Sequence, residues 1–168
     1  ERFDVPHRAV FLDRDGTINE IAFDENTEQL DSPMSVSQFR MLDGAAEAIR
    51  ALKDKGFYVF VVTNQPSAAK GKTTLGRLYD IDRELLRICG DSIDDIFMCP
   101  HYPNECPQTR EKFLIKQCDC RKPKPGLILQ AMKKYNIDAA VSFMAGDSFT
   151  DIQCGRAAGV RTAFVGNY

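Results

Sequence analysis

The residues best suited to chemistry lie in Phe11-Leu12-Asp13-Arg14-Asp15-Gly16-Thr17-Ile18. Two carboxylates stand one residue apart, just after the apolar run Ala9-Val10-Phe11-Leu12, and a glycine follows them. An apolar run of that length reads as a short buried strand. Carboxylates at its end, turned by a glycine, can converge on one small site. There one can attack or bind a metal while the other handles a proton. Asp-x-Asp alone is also what a solvated acidic turn looks like, so the other polar clusters decide.

Three such clusters follow apolar runs or open helices. Phe57 to Val62 is continuously apolar, as in a central parallel strand, and ends in Thr63-Asn64-Gln65. Arg121 and Lys122 precede Pro123-Lys124-Pro125-Gly126 and a helix. Phe143-Met144-Ala145-Gly146-Asp147-Ser148-Phe149-Thr150-Asp151 again places carboxylates after a strand. Carboxylates meeting at one point repel unless a cation joins them, and an all-oxygen ligand set suits Mg²⁺. A lysine among them could neutralise a phosphoryl group or a carboxylate nucleophile. Gly71-Lys72-Thr73 invites a phosphate-loop reading, but Pro66 stands where that motif needs a glycine.

The cysteines suggest a second metal. Cys99-Pro100-His101 and Cys118-Asp119-Cys120 bracket a loop of about sixteen residues. Three thiolates and one imidazole make a closed tetrahedral zinc site, and the zinc loop would span about 99–120. Cys106 is a rival ligand that reads better as a free thiol at a Pro-rich turn. Cys89 and Cys154 read as buried thiols in helices.

The elements that must position these groups alternate. Strands are predicted at Ala9 to Leu12, Phe57 to Val62, Ile93 to Met98, Ser142 to Ala145 and Arg161 to Val165. Helices are predicted over Gly44 to Lys55, from a Thr73 or Thr74 cap to Cys89, over Leu127 to Tyr135 and over Ile152 to Ala158. Asn19 to Met41 is polar and irregular, either a loop over the site or merely a long surface connection. This alternation predicts a parallel α/β sheet with helices on both faces, and ligands at the strands' carboxyl ends.

Composition bounds the rest. The 168 residues are 43% hydrophobic and 27% charged, which is ordinary for one globular domain. The net charge of -2 and the lack of basic blocks argue against nucleic acid or anionic membranes as partners. No apolar leader precedes Pro6 and no run could span a bilayer, so a cytoplasmic location is expected; nothing in the sequence suggests an obligate oligomer, so a monomer is expected.

The order Asp-x-Asp-Gly-Thr, Thr-Asn, Lys-Pro, Gly-Asp-x-x-x-Asp resembles the four motifs of the haloacid dehalogenase superfamily, over nearly the whole chain. The resemblance implies a Rossmann-like fold without a large cap domain, and a phosphohydrolase working through an aspartyl-phosphate. By position, Asp13 is then the nucleophile. Asp15 is the general acid and later the base, which asks for a raised pKa. Thr63 and Asn64 hold the phosphoryl group, Arg14 and Gln65 are further substrate contacts, and Lys122 steadies charge. Asp13, the backbone carbonyl of Asp15 and Asp147 would hold Mg²⁺, with Asp151 supporting or joining them. The zinc loop and Cys-Arg-Lys-Pro-x-Pro-Gly look like the branch acting on heptose 1,7-bisphosphate, with histidinol-phosphate phosphatases as close relatives. There Arg121 would contact the sugar phosphate. Pro66-Ser67 and the length of Asn19 to Met41 depart from that branch. A non-catalytic, zinc-stabilised binding module is the competing reading, and the intact Asp13, Asp15, Lys122 and Asp147 speak against it.

Overall fold

A computed structural model describes residues 5–25 and 28–166. The stretch from Glu1 to Asp4, included in the reading of the N-terminus above, lies outside the described residues. The elements in chain order are β1 (Ala9–Leu12), β2 (Ala22–Asp24), β3 (Gln29–Asp31), α1 (Ala45–Asp54), β4 (Tyr58–Asn64), α2 (Leu75–Cys89), β5 (Asp95–Cys99), α3 (Gly126–Tyr135), β6 (Phe143–Gly146), α4 (Phe149–Ala157) and β7 (Arg161–Phe164). Five strands form one parallel sheet in the order β5-β4-β1-β6-β7. The chain moves outward from β1 in one direction through β4 and β5, then returns to the other side for β6 and β7. The carboxyl end of β1 therefore lies where the order reverses, the place where open parallel sheets bind ligands.

The strands alternate their side chains between two cores. Ala9, Phe11, Phe60, Val62 and Phe97 face Leu127, Ile128 and Ala131 of α3 and Cys154 of α4. Val10, Leu12, Val59 and Val61 face Ile49 of α1 and Ile81, Leu85 and Cys89 of α2. With both faces covered, β1 and β4 need near-continuous apolar runs, which is how they read. Burying a ring such as Phe11 or Phe60 contributes on the order of 2–3 kcal/mol.

Element boundaries differ from the sequence reading where polar residues continue a strand or begin a helix. Thr63 and Asn64 belong to β4 itself, and β5 starts at Asp95. Thr74 rather than Thr73 caps α2, accepting a bond from the Arg77 amide at 3.3 Å. Asn19 to Met41, read as irregular, contains the antiparallel β2–β3 hairpin with Phe23 opposite Leu30. Its polar composition hides a strand pair too short to show alternation. The Thr73 hydroxyl donates to the Met34 carbonyl at 2.8 Å, and Lys72 pairs with Asp31 at 2.5 Å, so this segment is tied to the loop after β4. Among the described residues, no helix is long and apolar enough to cross a membrane.

Candidate active site

The carboxyl ends of β1, β4 and β6 bring the four polar clusters together. Asp13 follows β1, and its amide donates to the Ala145 carbonyl of β6 at 3.0 Å. Lys122 arrives from the loop before α3 and is almost fully buried. Its ammonium donates to Asp13 Oδ1 at 2.6 Å, Asp151 Oδ1 at 2.7 Å and the Val62 carbonyl at 2.8 Å. All three of its protons are thereby used. Burial opposes the Lys122 charge, but the two carboxylates outweigh it and raise its pKa. For Asp13, burial is the largest effect and pushes its pKa up to about 7; Lys122 opposes the rise and Asp151 adds to it.

Asp147 completes the cluster, since Asp13, Asp147 and Asp151 each offer a carboxylate oxygen within 4.8 Å of the others. Thr17 donates to Asp147 Oδ1 at 3.3 Å. Gly16 is held at φ +85°, and a Cβ there would meet Asp147 Oδ2 at 2.2 Å. The glycine of the first motif is thus needed both for its backbone conformation and for room beside the carboxylate. Asp151 also closes a capping box with Ser148, taking the Ser148 amide at 3.0 Å and its hydroxyl at 2.7 Å on Oδ2. Asp151 therefore also supports Lys122 and α4. A divalent cation fits Asp13 and Asp147 chemically. The donors are oxygens, they repel one another, and Asp13 holds its proton near neutrality unless more positive charge is added.

Asp15 has its own set of partners. Arg14 Nε and Asn19 Nδ2 donate to its Oδ1 at 3.1 and 3.0 Å, and Gln65 Nε2 donates to its Oδ2 at 2.7 Å. Burial would raise its pKa, but Arg14 and the side-chain donors outweigh burial and hold it below the usual carboxylate range. The raised pKa expected from its acid role is therefore absent here. The reason is the arginine between the two aspartates.

Three expected substrate contacts are placed otherwise. Arg14 is fully enclosed and spans Asp15 and Asp82, with Nη1 donating to Asp82 Oδ1 at 2.9 Å. Gln65 is fully buried and links Asp15 to the Thr63 hydroxyl, to which it donates at 2.9 Å. Accepting that bond leaves the Thr63 O–H free to donate. Asn64 uses its side chain on the Lys122 peptide: its Nδ2 donates to the carbonyl at 3.1 Å and its Oδ1 accepts from the amide at 3.0 Å. The bonds that these three side chains make run to the reacting groups and the residues beside them. Asn64→Ala is expected to lower kcat about tenfold and stability by about 1–2 kcal/mol, since two bonds to a buried peptide are lost. Steady-state rates and a urea melt check this. Arg121 is partly exposed and lies with its guanidinium 5.6 Å from the Tyr102 ring centroid, free of carboxylate partners among the described residues.

Asn19 and Asp82 belong to the site and were not singled out. Asp82 carried a signal: it sits four residues after Leu78 and three before Leu85, on the buried face of α2. A carboxylate there needs a partner.

The zinc-loop residues converge too. Cys99, Cys118 and Cys120 sulfurs lie 2.9–3.6 Å apart, and His101 Nδ1 is 3.2 Å from Cys120 and 3.8 Å from Cys99. Zn–S bonds of about 2.3 Å in a tetrahedron put sulfurs about 3.8 Å apart, so the four donors enclose a space of the right scale. Burial and then its two thiol neighbours push the Cys120 pKa up, so the trio ionises together only with a cation. Cys106 lies outside this cluster, near the Asn104 carbonyl, while Cys89 and Cys154 are buried in α2 and α4.

A parallel sheet with a buried lysine bridging carboxylates beyond β1 and β6 defines an α/β protein with its candidate site at the strands' carboxyl ends. A family model of haloacid dehalogenase-like hydrolases matches residues 20–159, and the chain belongs to that family. It is 38% identical over 160 residues to the D-glycero-beta-D-manno-heptose-1,7-bisphosphate 7-phosphatase of Haemophilus ducreyi, covering 92% of this chain and 80% of that one. The Escherichia coli K12 protein of the same name is 39% identical over 157 residues, with 92% and 76% covered. The crystal structure of D,D-heptose 1,7-bisphosphate phosphatase from B. bronchiseptica, complexed with magnesium and phosphate, matches with a TM-score of 0.73 at 30% identity, covering 92% of this chain and 78% of that one.

Proposed function

We propose that this chain is a magnesium-dependent phosphatase that removes the 7-phosphate of a heptose 1,7-bisphosphate through a phosphorylated Asp13. The observation that carries this reading is Lys122 Nζ, 2.6 Å from Asp13 Oδ1, inside a buried cluster with Asp147 and Asp151. The names of the relatives support the substrate. Asp13, Asp147 and the Asp15 backbone carbonyl would hold Mg²⁺, which when bound supplies positive charge facing the phosphoryl oxygens. Cys99, His101, Cys118 and Cys120 would hold a structural zinc. The proposal includes a cytoplasmic monomer acting on a soluble sugar phosphate, with no nucleic-acid or membrane partner.

The chain's own groups divide the work. Lys122 engages Asp13 Oδ1, which leaves Oδ2 to attack phosphorus. The Thr63 hydroxyl and Arg121 bind and orient the substrate. As the bond from phosphorus to the sugar oxygen breaks, its electron pair goes to that oxygen, which takes a proton from Asp15. Asp15 is ionised in the free enzyme; the approaching phosphate dianion raises its affinity for a proton and loads it. In the second step Asp15 takes a proton from water, the water oxygen attacks phosphorus, and the electron pair of the Asp13–phosphorus bond returns to Asp13. Phosphate leaves, and Asp15 gives the proton taken from water back to solvent, which restores the ionised carboxylate of the free enzyme.

Phosphate release from heptose 1,7-bisphosphate and from histidinol phosphate, measured side by side with Mg²⁺, tests the substrate. The expected result is a kcat/KM at least about 100-fold higher for the heptose, a gap that a site built for a substrate's own polar groups can reach. A preference for histidinol phosphate would overturn the substrate assignment. No release from either, or from a wider sugar-phosphate panel, would overturn the activity.

A further inference from the structure

The Asp15 carboxylate is oriented through a group from the middle of helix α2. Arg14, 0% exposed, has Nε 3.1 Å from Asp15 Oδ1 and Nη1 2.9 Å from Asp82 Oδ1. Asp82 is itself only 7% exposed and is presented by the buried face of α2. A guanidinium is planar, so fixing one edge on Asp82 fixes the direction of its Nε–H toward Asp15. Among the described residues, the buried side-chain nitrogens and oxygens with no hydrogen-bond partner are Arg14 Nη2, Asn19 Oδ1 and Gln65 Oε1. All three of these residues donate to Asp15 from their side chains, and the Ser32 side chain hydrogen-bonds it as well. Four side chains thus fix the direction of the Asp15 carboxylate, and Arg14 among them is itself held in place by a second carboxylate, Asp82.

We propose that Asp82 is a positioning residue for proton transfer by Asp15, acting through Arg14. The proposal rests on the reading of Asp15 as acid and base given above. Asp82 touches neither substrate nor reacting atoms. It holds Arg14 so that the Asp15 carboxylate stays aligned with the leaving oxygen.

The test compares substrates that need the proton to different degrees. An alkyl phosphate, such as the sugar phosphate, expels a poor leaving group whose oxygen must be protonated. p-Nitrophenyl phosphate expels a phenolate that needs no proton. The ratio of kcat/KM for the two reports only phosphoryl transfer to Asp13, and an unfolded fraction lowers both alike and cancels. General acid catalysis contributes about 10²–10⁴-fold, so misalignment by Asp82→Ala is expected to lower the alkyl phosphate rate about 10–100-fold. The p-nitrophenyl phosphate rate is expected to fall less than about threefold on the same reasoning. Asp82→Asn, which keeps the shape and removes the charge, is expected to bias the ratio in the same direction by a smaller factor. It carries the test if Asp82→Ala does not fold. Equal losses on the two substrates, or wild-type rates on both, would overturn the proposal. Asp15→Asn is measured alongside. If it shows no leaving-group bias, the acid role of Asp15 fails; if it shows the bias and the Asp82 variants do not, only the positioning role fails.

Discussion

Asp13→Asn is expected to abolish turnover, by at least about 10⁴-fold, while making the metal-free protein more stable at pH 8 than the wild type. The loss follows from removing the attacking oxygen. The gain follows from the same cluster. Burial, resisted by Lys122 and reinforced by Asp151, takes Asp13 from 3.8 to about 7. Folded Asp13 therefore binds its proton more tightly than unfolded Asp13, and ionising it costs folding free energy. The cost is absent below pH 3.8, grows as pH rises toward about 7 and is complete above that. Its ceiling is on the order of 4 kcal/mol, and the amide removes it while Lys122 keeps Asp151 as its partner. Thermal melts in EDTA check the sign. The stabilisation of Asp13→Asn should be large at pH 8 and should shrink toward pH 4. A difference that grows with acidity would contradict the account of the cluster. Added Mg²⁺ should narrow the gap at pH 8, because it favours the ionised wild-type carboxylate.

The second large effect is expected from the zinc loop. Cys118 and Cys120 lie just before Lys122 in sequence, and Cys99 ends β5. The loop between them contains little regular structure: Tyr102 exchanges backbone bonds with Leu114 and Lys116 at 3.1 and 2.9 Å, and a short turn of helix covers Lys112–Leu114. A metal tying Cys99 to Cys118 and Cys120 would anchor the approach to Lys122, with Asn64 holding its peptide from the other side. Cys118→Ser, or stripping with a strong chelator, is expected to lower the melting temperature by roughly 10 °C, several kcal/mol for a chain of this length. Activity should fall about 100-fold as Lys122 loses its position, a loss typical of small misplacements at a reacting centre. Elemental analysis of the purified protein should give about one zinc per chain. No zinc, together with a Cys118→Ser melt equal to wild type, would remove the structural-metal assignment.

The parallel sheet was legible because its central strands are covered on both faces. Val59, Phe60, Val61 and Val62 are all buried, so no polar residue interrupts the run. The motif carboxylates were legible because each follows such a run. What the sequence left out is where side chains point once the strand ends. Asn64 and Gln65 read as ligand contacts because small polar groups follow an apolar strand. Their partners, the Lys122 peptide and Asp15, lie 58 and 50 residues away in sequence. Arg14 stands between two aspartates, and nothing local says that it turns inward to α2. The lowered pKa of Asp15 follows from that turn together with the Asn19, Gln65 and Ser32 side chains that hydrogen-bond it. The β2–β3 hairpin was missed because each strand has three residues, too few for a period to register.

Trapping the phosphorylated carboxylate tests the central assignment most directly. The protein is mixed with substrate and Mg²⁺, quenched within one turnover and treated with borohydride, which reduces an acyl phosphate to the alcohol. Peptide mass spectrometry should then find homoserine in place of aspartate at position 13, only when substrate was present. Reduction at another carboxylate, or full phosphate release with position 13 unmodified throughout the turnover, would contradict the assignment of Asp13 as the group that takes the phosphoryl.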